Sequence, residues 1–284
     1  MNIRQVRKKI KSVSNVKKIT RAMQLVSAIK MKKAQQLALE GQPYRKDLEQ
    51  IVRKVVANLD PGYSSLLSRE KTDQSNTLYI VVSSNKGLCG SFNFNLFRFI
   101  LKNIDFKHSE FITVGKKAAL LVGKSGSKII ANFTELSPVD SVSAIFQTAL
   151  TAFLEGKYNS VVLVFNRFIN TLRHEPTMMS LLPVNISPTN DNEIKIHSEY
   201  IIEPSPATII DPLLRSLVEE EIRGAIVDSE AAEHSARMIA MKNATDNATD
   251  VIYNLTLLRN KIRQEKITYE LLDMVSAQAS VEEN

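Results

Sequence analysis

After Pro212 the chain holds no further proline and a single glycine, Gly224, while apolar or small side chains recur every seventh residue. One seam reads Leu213, Glu220, Val227, His234, Met241, Ala248, Leu255 and Ile262. Its companion reads Leu217, Gly224, Ala231, Met238, Thr245 and Ile252. About seven heptads without a breaker predict a coiled-coil helix over 212–280, roughly 100 Å long at 1.5 Å per residue. A helix of that length gains its stability from packing its stripe on another element, so the chain must supply or find a partner helix. Gly224, Ala231 and Ala248 let that partner approach closely.

The other end of the chain offers one. Counted in sevens, Ile3, Ile10, Lys17, Gln24 and Met31 form one seam, and Val6, Val13, Thr20, Ser27 and Ala34 its companion. The seam starts large and apolar and becomes small and polar. Arg4, Lys11, Lys18 and Lys32 make a basic stripe at the same spacing. Met23, Leu25, Val26 and Ile29 fall off both seams, although a two-stranded coil needs only its seam positions apolar. They face either a second, external surface or the protein's own globular part. Gly41 and Pro43 predict an interruption or kink. Tyr44, Leu48, Ile51 and Val55 then resume helical spacing toward Leu59, and Asp60-Pro61-Gly62 ends the helix.

Charge follows the same division. The net charge is +7, yet the first 39 residues hold eleven Lys or Arg and no acid, so the remainder sums to −4. This permits an acidic partner without identifying one. One cysteine excludes an internal disulfide framework. No apolar run approaches the eighteen or so residues of a membrane span, so any membrane link goes through a partner. The N-terminus lacks the apolar core of a secretory signal, but its composition alone leaves an organellar transit peptide open.

Between the two ends the pattern alternates. "NTLYIVVSS", "EFITVG", "KIIANF" and "NSVVLVFNRF" read as short strands. "SFNFNLFRFILKN", "KKAALLVGK" and "SPVDSVSAIFQTALTAFLEG" read as helices, the last with Ser137 as N-cap and Pro138 at its first position. This βαβαβαβ order implies a mostly parallel sheet. "TLRHEPTMMSLLPV" adds an edge strand, its start weakened by Pro176, and residues 187–211 read as loop and short strand. The ends of the chain pair with each other, and the α/β domain is an insertion between them. The expected division is 1–59, 76–190 and 208–284.

Catalytic chemistry finds little support. The loop after the first strand, "SSNKGLCGSFN", lies where a doubly wound sheet places a ligand. Gly87 and Gly90 do not complete a dinucleotide fingerprint. "GKS" at 123–125 lacks the earlier glycine of a phosphate loop, since Ala118 stands there. Cys89 has no activating base in view, and His108, His174, His197 and His234 are scattered. No metal-ligand spacing or paired-carboxylate signature is present, so neither cofactor nor metal is expected. A tight structural turn is the favoured reading of the loop.

Three stretches carry a family resemblance: "IRQVRKKIKSVSNVKKITRAMQLVSAIKMKKAQ", "SSNKGLCGSFN" and "SEAAEHSARMIAMKNATDNATDVIYNLTLLRNKIRQEKITYELLDMVSA". Together, in this order, they resemble the gamma subunit of F-type ATP synthase. The resemblance implies an α/β fold in which an antiparallel coiled coil of the N- and C-terminal helices carries an inserted Rossmann-like, mostly parallel α/β domain. It implies a non-catalytic central-stalk rotor that couples proton flow to ATP synthesis. Its partners are the alpha and beta subunits, the epsilon subunit and the membrane c-ring, with no nucleic acid and no direct membrane insertion. Because the match begins by Ile3, the basic segment is expected to be mature protein. Met23, Arg237, Arg263, Gln264 and Thr268 match family positions that touch beta subunits. Leu271, Leu272, Met274 and Val275 fall where the longer second helix outruns the first. The expected location is the cytoplasmic face of a bacterial inner membrane. A basic coiled coil that binds nucleic acid is the competing reading of the charge.

Overall fold

The computed structural model describes residues 2–56, 63–67, 76–134, 137–185, 202–203 and 205–282, with side chains as far as residue 276. Two helices dominate: α1 spans Ile3–Val56 and α5 spans Pro206–Glu282. The chain divides into two compact units, Met1–Ala28 with Arg237–Asn284, and Ile29–Ala236. Each helix supplies residues to both.

In the first unit α1 and α5 form an antiparallel coiled coil. Every α1 position from Ile3 to Ser27 on the two seams is buried or half-buried, and so is every α5 seam position from Met238 to Ile262. The register is marked by a buried contact across the seam, Thr20 Oγ1 to Thr245 Oγ1 at 2.8 Å. Antiparallel helices in that register set Gln24 opposite Met241, Ile10 opposite Leu255 and Ile3 opposite Ile262. α1 has no residue left to cover anything beyond. Residues 263–276 of α5 are accordingly all exposed.

The second unit is built on a five-stranded sheet of order β3-β2-β1-β4-β5. β1 (Thr77–Val82), β2 (Ser109–Val114), β3 (Ile129–Phe133) and β4 (Ser160–Phe168) are parallel. β5 (His174–Leu182) closes one edge antiparallel to β4 and carries Pro176, tolerated at an edge because no further strand needs its missing N–H. The connecting helices are α2 (Phe92–Asn103), α3 (Lys116–Ser125) and α4 (Val142–Leu154). Strand periodicity separates two cores. Leu78, Ile80 and Val82 of β1, Ile112 and Val114 of β2, and Val161, Leu163 and Phe165 of β4 pack on α4 and on Leu48, Val52, Leu214, Ile222 and Ile226 of α1 and α5. Val81, Phe111 and Val164 point the other way, into Leu96 and Ile100 of α2 and Ala118 and Val122 of α3. Period-two alternation puts successive residues on opposite faces, so a strand this apolar is covered on both.

Several expected boundaries move. α1 is unbroken through Gly41 and Pro43. A proline here removes one N–H, at about 3 kcal/mol, but the flanking heptads continue and hold the helix. They continue through Arg45, Leu48, Val52 and Val55; Tyr44 and Ile51 face solvent instead. α5 begins at Pro206, six residues before expected, with Pro206 at the first helical position and Pro212 exposed nearly two turns further on. Ser137 does not cap α4, which starts at Val142. Residues 138–141 form a separate turn in which Ser141 N–H and Oγ both donate to Ser137 O. The stop at Asp60-Pro61-Gly62, and His197 with the stretch 186–201, lie outside the described residues.

Gly224 explains a second close approach. A Cβ there would stand 1.8 Å from Nη1 of Arg45, whose guanidinium occupies the slot. Glu221 and Asp228, one turn to either side, are held above the usual carboxylate range by burial, and Arg45 and Arg167 pull them back down. Gly224→Ala would push Arg45 out and leave two half-buried carboxylates with a weaker counter-charge. We expect a cost of about 1–2 kcal/mol and a melting temperature lower by roughly 2–8 °C. Gly41→Ala, with nothing within 4 Å of its Cβ, is the control and should stabilise by up to about 1 kcal/mol. Equal shifts in thermal unfolding would refute the slot.

Candidate functional site

The carboxyl ends of β1 and β4, where the strand order reverses, are the place for a ligand in an open parallel sheet. The N-terminus of α3, after the neighbouring strand β2, is filled by the chain itself. A helix N-terminus presents unpaired N–H groups that readily bind anions. At α3, Lys116 N–H donates to Asn85 Oδ1 at 3.0 Å, Lys117 N–H to Ser84 O at 3.2 Å and Ala118 N–H to Ser83 Oγ at 2.7 Å. The loop after β1 therefore takes the donors that a phosphate would need. Gly115 makes this possible: its φ is +93°, and a Cβ there would lie 2.3 Å from Ser83 O. Gly123–Ser125 lies at the opposite, C-terminal end of α3, where no phosphate loop operates.

The remainder of that loop is knitted together. Ser84 Oγ donates to Lys86 O at 2.8 Å, and Asn93 Nδ2 lies 2.8 Å from Ser84 Oγ and 3.2 Å from Cys89 Sγ. Cys89 is buried with Phe92 and Ala232. The turn expected from Gly87 and Gly90 uses Leu88 and Gly90 as its left-handed residues, at φ 61° and 57°. Among the described residues no group of three or more metal-ligating side chains occurs.

Two buried polar atoms stand beside this loop without a partner, Asn166 Oδ1 and His174 Nε2. The His174 ring packs on Phe92, 5.6 Å between centroids, and burial holds its pKa below the ordinary value. The folded chain thus binds that proton less readily than the unfolded one. Its stabilising contribution is complete above about pH 6.5 and declines as the pH falls below that value. Glu221, Asp228 and Glu230, held above their usual range by burial, act in the opposite sense. Subtraction removes them. The stability of the protein relative to its His174→Phe variant should fall between pH 8 and pH 5.5 in urea titrations; a constant difference would refute the assignment.

The partner-contact residues belong to the coiled-coil unit. Met23 is half-buried on α1, off both seams, beside exposed Leu25 and Val26 at 53% and 54%. Ile29, 71% exposed, continues the set into the other unit. Arg237 of α5 is buried. Arg263, Gln264 and Thr268 are exposed on the overhanging part of α5, where Thr268 Oγ1 donates to Gln264 O at 3.0 Å. At 1.5 Å per residue they stand roughly 40–45 Å along the helix from Arg237. The structure therefore separates the five into two levels. Leu271, Leu272, Met274 and Val275 are all more than half exposed beyond the upper one. Val16 and Ile19, exposed on the same stretch of α1 as Met23, were not singled out by the seam count. Their off-seam position was the available signal.

The unit's charge is as uneven as its apolar surface. Met1–Ala28 and Arg237–Asn284 together hold fourteen basic and seven acidic residues, which equals the whole +7 of the chain. No helix among the described residues is long and apolar enough to cross a membrane.

Known structures share this fold. The chain is similar to one from the Tetrahymena thermophila mitochondrial ATP synthase central stalk and c-ring, at 23% identity over 80% of this chain and 99% of that one, with a TM-score of 0.58. It is similar to a chain of the Euglena gracilis mitochondrial ATP synthase (OSCP, F1 and c-ring, rotational state 3) at 18% identity over 98% and 94%, TM-score 0.68. A chain of the Euglena gracilis rotor in rotational state 1 matches at 18% over 93% and 98%, TM-score 0.64. The family model for ATP synthase matches residues 2–281. With that match spanning both helices and the sheet between them in sequence, the chain belongs to the ATP synthase family, as a member of its F1 gamma subunit group.

Proposed function

We propose that this chain is the central-stalk rotor of an F-type ATP synthase. It couples proton flow through a membrane c-ring to ATP synthesis at sites held by alpha and beta subunits, and breaks no bond itself. The observation that carries this reading is the apolar surface outside the seams. Val16, Ile19, Leu25, Val26 and Ile29 on α1 and Leu271, Leu272, Met274 and Val275 on α5 are exposed in the chain alone. A helix that is apolar on several sides is built to be enclosed, and the family provides an enclosing ring.

Met23 and Arg237 would then meet beta subunits at the lower level, and Arg263, Gln264 and Thr268 at the upper. The basic helix would face acidic side chains of those subunits. Epsilon and the c-ring would hold the α/β unit. A membrane attachment made only through partners, on the cytoplasmic face of a bacterial inner membrane, completes the reading. The start of α3 offers no free anion site, because Ser83, Ser84 and Asn85 take its N–H groups, which fits a non-catalytic role.

Mixing the chain with alpha and beta subunits should give a stoichiometric complex that hydrolyses ATP. Failure to assemble, together with steeply salt-dependent binding of DNA or RNA, would favour the nucleic-acid reading instead.

A further inference from the structure

Polarity in the coiled coil is reversed over one stretch. From Ile3 to Val13 the α1 seams are apolar; from Lys17 to Ser27 they read Lys17, Thr20, Gln24 and Ser27. Over the same turns the apolar residues Val16, Ile19, Leu25 and Val26 face outward. Opposite stand Ala248, Thr245, Met241 and Met238 of α5. A seam of this kind holds the two helices together weakly, and burial is in any case non-directional. Small and polar residues accept a neighbour at many heights.

One contact in the stretch is directional. Thr20 and Thr245 are 8% and 7% exposed, with their hydroxyl oxygens 2.8 Å apart. Thr20 Oγ1 also lies 3.1 Å from Lys17 O, and Thr245 Oγ1 2.8 Å from Met241 O. The pair has two hydroxyl protons. With Thr245 donating to its own helix, Thr20 donates across the seam; the reverse assignment is equivalent. Sliding α5 by one heptad, about 10 Å, would set Thr20 against Met238 or Ile252. Sliding by half a heptad sets it against Met241 or Ala248. All four are without a hydroxyl or amide, so Thr20 has a cross-seam hydrogen-bond partner in the observed register alone; the shift that sets it against Ile252 brings Thr245 to Ser27 but leaves Thr20 without one. A single buried polar residue on a seam is an established means of selecting register in coiled coils.

We propose that the Thr20–Thr245 hydrogen bond is the register lock of the coiled coil, fixing α1 against α5 in the stretch whose apolar side chains are turned outward. Its consequence for coupling rests on the rotor reading above. Slippage of one helix along the other would absorb motion that should reach the partner subunits. These are positioning residues and touch no reacting group.

The test reads register by disulfide formation in the full-length chain, alone and assembled with alpha and beta subunits. Gln24→Cys with Met241→Cys reports the observed register; Gln24→Cys with Ala248→Cys reports a shift of one heptad. With the threonines intact only the first pair should cross-link. With Thr20→Val and Thr245→Val, which keep side-chain shape, the ratio of shifted to in-register product should rise at least about ten-fold. Thr20→Ser with Thr245→Ser keeps both hydroxyls and should restore the single register. Unchanged cross-linking in the valine pair would overturn the proposal. So would register loss in the serine pair, which would assign the effect to the methyl groups. If the valine pair does not fold, Thr245→Ala alone gives the same readout. In assembled complexes containing the c-ring, the valine pair should pump several-fold fewer protons per ATP hydrolysed. Failure to assemble even with both threonines present would count against the rotor reading and leave the cross-linking result standing.

Discussion

Gly115→Val is expected to destabilise the α/β unit severely. The backbone at Gly115 has φ +93° and ψ 145°, a region that residues with a side chain occupy only at a cost of about 1–3 kcal/mol. The new Cβ would also lie 2.3 Å from Ser83 O and 2.9 Å from Ser83 C. Both are backbone atoms at the end of a central strand, so no rotamer change relieves the overlap. Moving them breaks the three hydrogen bonds through which Ser83, Ser84 and Asn85 satisfy the start of α3. A total above about 3 kcal/mol is expected, or a melting temperature lower by roughly 6–12 °C or more. Valine and alanine should both be damaging, valine more so. An alanine variant within a degree or two of the parent in calorimetry would mean that the loop and helix separate easily.

Met23→Lys should damage function far more than folding. Met23 stands off both seams of α1 and is only half-buried in the chain alone. Substitutions at such positions usually change stability by no more than about 0.5 kcal/mol. In the proposed complex the same residue meets a beta subunit. Moving a site from almost closed to almost open requires about 5.5 kcal/mol of differential interaction. That corresponds to roughly 220 Å² of apolar contact made in one orientation and lost in another. A fully covered methionine side chain provides about 1.5–3 kcal/mol of this, a factor on the order of 10–100 in an equilibrium constant. Exposed charge pairs contribute only about 0–1 kcal/mol each, so a lysine does not replace it. Reconstituted complexes carrying Met23→Lys should show coupled synthesis reduced about ten-fold, with the melting temperature of the chain within a few degrees of the parent. Parallel loss of both would contradict the assignment.

Much of this architecture is legible without coordinates. Every seam position counted by sevens in the coiled-coil unit is buried or half-buried, including His234's neighbours Met238 and Met241 on α5. The strands fall where β-branched runs stand between turn residues, and the overhang of α5 follows from the unequal helix lengths. The features missed are those made by residues distant in the chain. Ser137 has the composition of a cap, but helix α4 starts where Ser141 meets Val142. Pro43 breaks a helix considered alone and is carried by the heptads on either side. Arg45 in the slot of Gly224, and Ser83 against Gly115, are pairs that no local pattern announces. The five partner-contact positions rest on family resemblance; the fold adds that they stand at two levels and that Arg237 is buried in the chain alone.

The sequence by itself determined that the two ends of the chain are long helices with facing stripes, and that an α/β layer lies between them. Periodicity is a property of one strand of chain, and side chains repeating every 3.5 residues must share a face. The tertiary structure decided the height at which the stripes meet. A heptad pattern moved by seven residues looks the same, so spacing cannot select among its own repeats. The choice falls to a contact that occurs once, and here Thr20 meets Thr245.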